Sequence, residues 1–268
     1  MSDAIRGIRR HEAGSNHWYS IDGIRAEGVT TLIGDGQPKP AIPYWAARPV
    51  AEYVADLPEH ALFALRDLGH DPMVNLLKSV PWQKRDTAGV RGSEIHKLAE
   101  ELVRGNEVEV PEHLAGYVDS AVAFMDEWQP APVLIEAVVA SRQWSYAGTL
   151  DLVADLPDGR RALMDYKTAA RGIFAETAMQ LAAYRWAETY IGTDGTEVPM
   201  REVGIDCAYG IWIRADGYQM IPVKTDEAVF RAFLHVAQVA RNKAAMKSWM
   251  GPPEEAPARI LPAVADLP

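Results

Sequence analysis

The stretch from Gly148 to Thr168, GTLDLVADLPDGRRALMDYKT, limits what this chain can fold into more than any other. Two apolar runs flank Pro157-Asp158-Gly159. Proline pre-sets φ and the Asp-Gly pair tolerates a left-handed reversal, so the tripeptide marks a turn and the stretch a β-hairpin. Alternate residues of a strand share a face. Asp165 and Lys167 therefore point the same way, and Tyr166 points into packing. With the turn at 157–159, Asp151 faces Asp165 directly across the ladder. Like charges so placed destabilise a strand pair. At that separation one carboxyl pKa rises unless a cation neutralises the two. A divalent metal is the economical explanation, and hard oxygen donors favour Mg²⁺ or Mn²⁺ over Zn²⁺. Lys167 then stands beside a water held at that ion. A single Asp or Lys at a strand end is usually surface. Three on one face, inside LDLVADL and ALMDYKT, are a more specific signal.

The surrounding pattern supplies the rest of a fold. HWYSIDGIRAEGVTTLI predicts a short hairpin, with Trp18–Ile21 and Ile24–Ala26 flanking Asp22-Gly23. GDGQPKPAIP reads as loop. Helical periodicity runs from Tyr44 to Val80, with Pro49 kinking or starting its first helix, and Trp82–Val90 reads as an exposed connector. RGSEIHKLAEELVRG is an amphipathic helix with Ser93 as its N-cap and Gly105 at its end. A helix over 112–128, a strand over 133–141 and the hairpin follow. The pattern then predicts a helix from Phe174 to Tyr190, and GTDGTEVPMREVG reads as a mobile polar loop. CAYGIWI and YQMIPV make a second hairpin around Ala215-Asp216-Gly217. Thr225 or Asp226 caps a last long helix. This order predicts an α/β protein, a central mixed β-sheet flanked by helices. The expected divisions are an N-terminal hairpin and helical lobe over 1–90, the core over 91–250 and a disordered tail over 251–268.

Composition narrows the setting. The 268 residues carry a formal charge of −10, which repels polyanions at long range unless a local basic groove intervenes. Cys207 is the single cysteine, which excludes an intramolecular disulfide framework and a four-cysteine zinc or iron–sulfur site. A reducing, cytoplasmic location is the expectation, with no signal peptide and no membrane association.

The hairpin and its flanks resemble the PD-(D/E)XK nuclease superfamily, in its RecB-like and phage-type exonuclease branch. The residues carrying the resemblance are Gly148-Thr149-Leu150-Asp151, Asp165-Tyr166-Lys167-Thr168 and Gln180-Leu181-Ala182-Ala183-Tyr184. His96 in RGSEIHKLAEEL and Glu136 in VLIEAVV match an upstream helix and strand of that branch, and GVTTLI and YWAARPVAEYV are also similar to its phage-type members. Leu150 stands where the superfamily name has proline, and the cluster cysteines of some relatives are absent.

The resemblance implies a restriction-endonuclease-like core and a Mg²⁺- or Mn²⁺-dependent DNA exonuclease. Asp151 and Asp165 would hold the metal with His96, the Tyr166 backbone carbonyl and, as one of two open readings, Glu136. Lys167 would ready the water, and Gln180 and Tyr184 would border the site and support the lysine or the DNA backbone. Products would carry 5′-phosphate and 3′-hydroxyl ends. Each supporting residue also has a plainer reading. His96 could bond Glu100 one turn on, and Glu136 could be a strand-edge charge. Gln180 and Tyr184 could form a polar helix shoulder. Thr168, Arg171 and Arg185 could contact phosphates or lie at the surface, and Trp144 and Tyr146 could stack on a base or sit in the core. The implied partners are DNA, further copies of the chain, some relatives forming rings, and a recombination or single-strand-annealing protein. Two alternatives stand beside this: a small-phosphoester hydrolase using the same carboxylates, and an inactive DNA-binding or assembly module.

Overall fold

The computed structural model describes residues 6–14 and 16–254. Strand β1 (Ile8–Ala13) pairs antiparallel with β2 (Asn16–Ile21), which reverses into β3 (Ile24–Gly28). Asp22 and Gly23 both take positive φ, 52° and 80°, as a type I′ turn demands. β1 carries no alternating pattern, since among its residues only Ile8 is buried, and nothing in the sequence announces it. Four helices follow: α1 (Val29–Gly36), α2 (Ala41–Ala55), α3 (Glu59–Asp67) and α4 (His70–Val103). Then come α5 (Ala115–Trp128), β4 (Ala131–Ser141), β5 (Tyr146–Asp155), β6 (Arg161–Lys167) and α6 (Glu176–Arg185). The chain continues through β7 (Thr189–Ile191), β8 (Glu197–Pro199), β9 (Cys207–Arg214), β10 (Gly217–Pro222) and α7 (Glu227–Ala245). Asp226 caps α7, its carboxylate accepting from the Val229 amide at 3.1 Å.

The strands form one mixed sheet with helices on both faces, as the element order predicts. On one face Leu150, Val153 and Leu163 pack with Val29 and Leu32 of α1, Leu181 of α6 and Phe233 of α7. On the other, Leu152, Met164 and Ile211 pack with Ile95 of α4 and Phe124 of α5. Side chains of this size each contribute roughly 1.5–3 kcal/mol when fully buried. They account for why the sheet is shielded on both sides.

Several expectations are corrected. Val29–Ile33, read with the first hairpin, form helix α1, and the passage read as loop from Gly34 to Pro43 supplies the end of α1 and the start of α2. Trp82–Val90 is not a connector: α4 is one unbroken helix of 34 residues, about 50 Å long. Ser93 is inside it, its hydroxyl donating to the Gly89 carbonyl at 3.1 Å instead of capping a new helix. Residues 82–90 are exposed and so carry no apolar period to betray a helix. The helix predicted to reach Tyr190 stops at Arg185, because Thr189 and Tyr190 join the sheet beside Ala140 and Val139. The loop expected at 192–204 is ordered: β7 and β8 pair, and Met200 and Val203 enter the core.

The boundary expected at residues 90/91 falls inside α4. The N-terminal segment also builds the main body, since β3 pairs parallel with β5 and α1 packs beneath the sheet. Of the expected tail, residues 255–268 lie outside the described ones. Among the described residues, no helix is long and apolar enough to cross a membrane.

Candidate functional site

One edge of β5 changes neighbour along its length. Tyr146 and Ala147 pair with Glu27 and Gly28 of β3, and Leu152–Asp155 pair with β6. Between them, β3 departs into α1 and β6 departs along β9, so residues 148–151 lie in a fork. Crevices where neighbouring strands part are common ligand sites. The β5–β6 register is the one the turn predicts, with Leu152 opposite Met164 and Asp151 facing Asp165 one step on. The ladder opens there, and Asp151 Oδ2 accepts a hydrogen bond from the Tyr166 amide at 2.8 Å.

β4 is distorted at the same level. Glu136 stands opposite Asp151 yet is missing from the ladder between Ile135↔Leu152 and Ala137↔Leu150, with φ at 48°. Ile135 and Leu152 pack on the α4–α5 face of the sheet, whereas Ala137 and Leu150 pack on the opposite face. Both strands therefore switch facing at the Glu136/Asp151 pair. A left-handed non-glycine residue costs on the order of 1–3 kcal/mol, and such outliers concentrate where function demands them.

Side chains from four elements converge on the fork. Asp165 is 1 % exposed, and the Lys167 ammonium lies against its Oδ2. From α6, Gln180 Nε2 donates to Asp165 Oδ1 at 2.8 Å and to the Tyr184 hydroxyl at 3.2 Å. Gln180 Oε1 accepts from Lys167 Nζ at 3.2 Å. One glutamine thus holds acid, amine and phenol, using the shared face of positions one helical turn apart. From α4, His96 Nδ1 stands 3.4 Å from Asp151 Oδ2. Glu100 accepts instead from Arg104, so the plainer His96–Glu100 reading does not hold. The Tyr166 ring packs edge-on against His96 and Phe124, which leaves its backbone at the fork.

The electrostatics are those of crowded, buried acid. Burial raises the Asp165 pKa, and the Asp151 charge raises it further against the opposing pull of Lys167. Burial and the charges of Asp151 and Glu100 push Glu136 up to about 8. Asp165 Oδ2 is closed to solvent, with the Lys167 ammonium against it. Among the described residues, no three His, Cys, Asp or Glu side chains form a ready metal cage. The protein's own partners hold the acids: Lys167 lies on Asp165, and the Tyr166 amide and His96 hold Asp151. The donor chemistry nonetheless fits a hard divalent cation, since Asp151, Asp165 and Glu136 crowd their carboxylates together and the charge of one raises the pKa of the next.

A pH effect follows. Glu136 binds a proton in the folded state up to about pH 8, whereas its ordinary value is 4.5. Between those values the folded protein holds more protons than the unfolded chain, so this group's stabilisation fades as pH rises through the window. In EDTA, the melting temperature of the parent relative to Glu136→Gln is expected to climb as pH falls from about 8 to about 5. A difference that stays constant across that range contradicts the buried-acid picture.

The remaining predicted residues divide. Thr168 follows the last residue of β6, beside Gly92 of α4, and lines a cavity next to the fork. Arg171 is exposed in the β6–α6 connection. Arg185 turns away, donating to Thr225 Oγ1 at 3.0 Å and the Ile205 carbonyl at 2.8 Å, so the structure does not bring it to the fork. Tyr146 is core, its hydroxyl donating to the Ala183 carbonyl, and Trp144 lies beside α7.

Several site residues were not singled out from sequence. Arg10 approaches Glu136 at 3.9 Å, and the Tyr19 hydroxyl and Thr149 share a 2.9 Å hydrogen bond. Arg10 belongs to β1, which has no sequence signal; Thr149 lies inside the quoted motif and could have been found there. Gly148 is required by contact, since a Cβ there would stand 2.6 Å from Tyr184 Cε1. Gly148→Ala is expected to cost about 1–3 kcal/mol through overpacking, read as a lower melting temperature, and to displace Tyr184 from Gln180. A melting temperature equal to the parent's would show that the ring yields freely.

No family model matches this chain, and no curated protein matches it. Among solved structures, one described as "Crystal structure of SSO0001" is similar at 14 % identity, covering 76 % of this chain and 85 % of that one, with a TM-score of 0.26. A likeness that weak carries no argument about fold or activity.

Proposed function

We propose that this protein is a metal-dependent nuclease that hydrolyses DNA phosphodiester bonds, an exonuclease with a restriction-endonuclease-like core. The observation that carries the reading is the convergence of Asp151, Asp165 and Lys167 at the fork of β3, β5 and β6, tied together by Gln180. The resemblance in GTLD, DYKT and QLAAY independently points to the same residues.

A bound Mg²⁺ or Mn²⁺ would supply Lewis acidity toward the scissile phosphate and acidify the attacking water. Asp151 and Asp165 would hold the ion, with His96, Glu136 and the Tyr166 backbone adjoining. Asp151 is already fixed by the Tyr166 amide and Asp165 by Gln180, so neither carboxylate must be ordered when the ion arrives. Lys167 is positioned to orient the water and offset charge building on the phosphate. Gln180 limits where the ammonium can go. Tyr184, buried behind Gln180, anchors that amide.

The test is digestion of linear and closed-circular DNA with Mg²⁺, with Mn²⁺ and with EDTA. The expected result is loss of linear DNA with either metal, persistence of the circle, and no cutting in EDTA. Cutting of the circle at the same rate would overturn the exonuclease assignment. Failure to cut any form with either metal would overturn the nuclease reading.

A further inference from the structure

A second cavity opens from the site on the far side of His96. It measures about 940 Å³ and lies between α2, the middle of α4 and the β6–α6 connection. Trp45, Lys84, Arg85, Arg91, Thr168 and Phe174 line it, Lys167 stands at its inner end, and no carboxylate is among its lining residues. The cavity on the near side, about 550 Å³, instead carries Glu100, Glu136 and Asp151 alongside Arg10 and Lys97. Carboxylates thus line the near side and are absent from the lining of the groove, which makes the groove the better surface for a polyanion.

The cations in this groove are available at little cost. Lys84 pairs with Glu52 at 3.1 Å and Arg85 with Asp86 at 2.6 Å, both exposed pairs. Exposed pairs add little to stability, so exchanging a carboxylate for a phosphate costs little. The Arg91 guanidinium lies 5.7 Å from the Tyr117 ring centre, and its buried Nε has no hydrogen-bond partner among the described residues. Phe174 is 52 % exposed, which an apolar ring in a monomer's core would not be, and Trp45 is half-buried on the facing helix. Aromatic faces interleaved with cations accept unpaired bases, because a base within a duplex already has both faces stacked.

We infer that this groove binds a single-stranded segment of nucleic acid leading to the fork, with phosphates on Arg85 and Arg91 and bases on Trp45 and Phe174. The inference rests on the nuclease reading above, and it makes an unpaired strand the species delivered to Asp151, Asp165 and Lys167.

The test measures binding without cutting. Fluorescence anisotropy in EDTA compares a labelled oligo-dT, an abasic oligomer with the same number of phosphates, and a blunt hairpin duplex. Trp45→Ala and Phe174→Ala are each expected to weaken oligo-dT binding roughly 5-fold or more and to leave abasic binding unchanged. Arg85→Ala is expected to weaken both and to lower the slope of log affinity against log salt by about one. Should Trp45→Ala fail to fold by circular dichroism, Phe174→Ala carries the test. Oligo-dT bound equally by the parent and the aromatic variants overturns the inference, as does a hairpin bound as tightly as oligo-dT. Cutting with Mn²⁺ is scored separately. Cutting with unchanged binding sinks the groove alone, and the expected binding without any cutting sinks the nuclease reading alone.

Discussion

Lys167→Ala is expected to slow DNA hydrolysis about 10³-fold or more while leaving the protein folded. The size follows from what the ammonium supplies. Positioned proton transfer is worth about 10²–10⁴-fold, and a preorganised charge at the reacting centre about 10²–10³-fold. The fold should survive because the Lys167 side chain is 27 % exposed and its partners have other bonds. Gln180 keeps Asp165 and Tyr184. Removing the ammonium does leave Asp165 with less countercharge, so the variant should depend more on added Mn²⁺ for its melting temperature than the parent does. The measurements are single-turnover cutting of linear DNA and thermal melts with and without Mn²⁺. Parental cutting by a folded Lys167→Ala protein would remove the lysine from the chemistry.

Asp165→Asn is expected to abolish cutting and, in EDTA near pH 8, to raise the melting temperature. The two effects have one cause. Asp165 is 1 % exposed, and burial together with Asp151 raises its pKa, so its ionised form is costly without a metal. The amide keeps an acceptor for Gln180 Nε2 and removes the charge. For a protein of this size each kcal/mol recovered appears as roughly 2–4 °C. The gain should shrink toward pH 5, where the parent carboxyl is protonated, and added Mn²⁺ should stabilise the parent more than the variant. A variant that melts below the parent at pH 8 in EDTA would mean the Lys167 contact outweighs the burial cost. Retained cutting would remove Asp165 as a ligand. Acid kept where it destabilises is what a site selected for function would show.

How much of this was legible beforehand differs from residue to residue. The β5–β6 hairpin was, because Pro157-Asp158-Gly159 fixes the turn and the turn fixes the register. The Asp22-Gly23 reversal was legible for the same local reason. Gln180 and Tyr184 could be placed on one helix face from their spacing alone. β1 and the middle of α4 were not visible, since strands and helices with mostly exposed side chains lack the apolar period that announces them. β7 was hidden because three residues of edge strand cannot be told from the end of a helix until a neighbour pairs with them.

The amino-acid order alone determined which acids could face each other, since strand period and turn chemistry act over a few residues. It also determined that an amine stands one pleat away. Only the tertiary structure decided that the ladder opens at Asp151, that Glu136 flips to positive φ beside it, and that His96 and Gln180 arrive from separate helices. It likewise gathered Trp45, Arg85, Arg91 and Phe174 into one groove. Those placements depend on contacts between segments far apart in the chain, where no local preference reaches and only the packing of both sheet faces selects the answer.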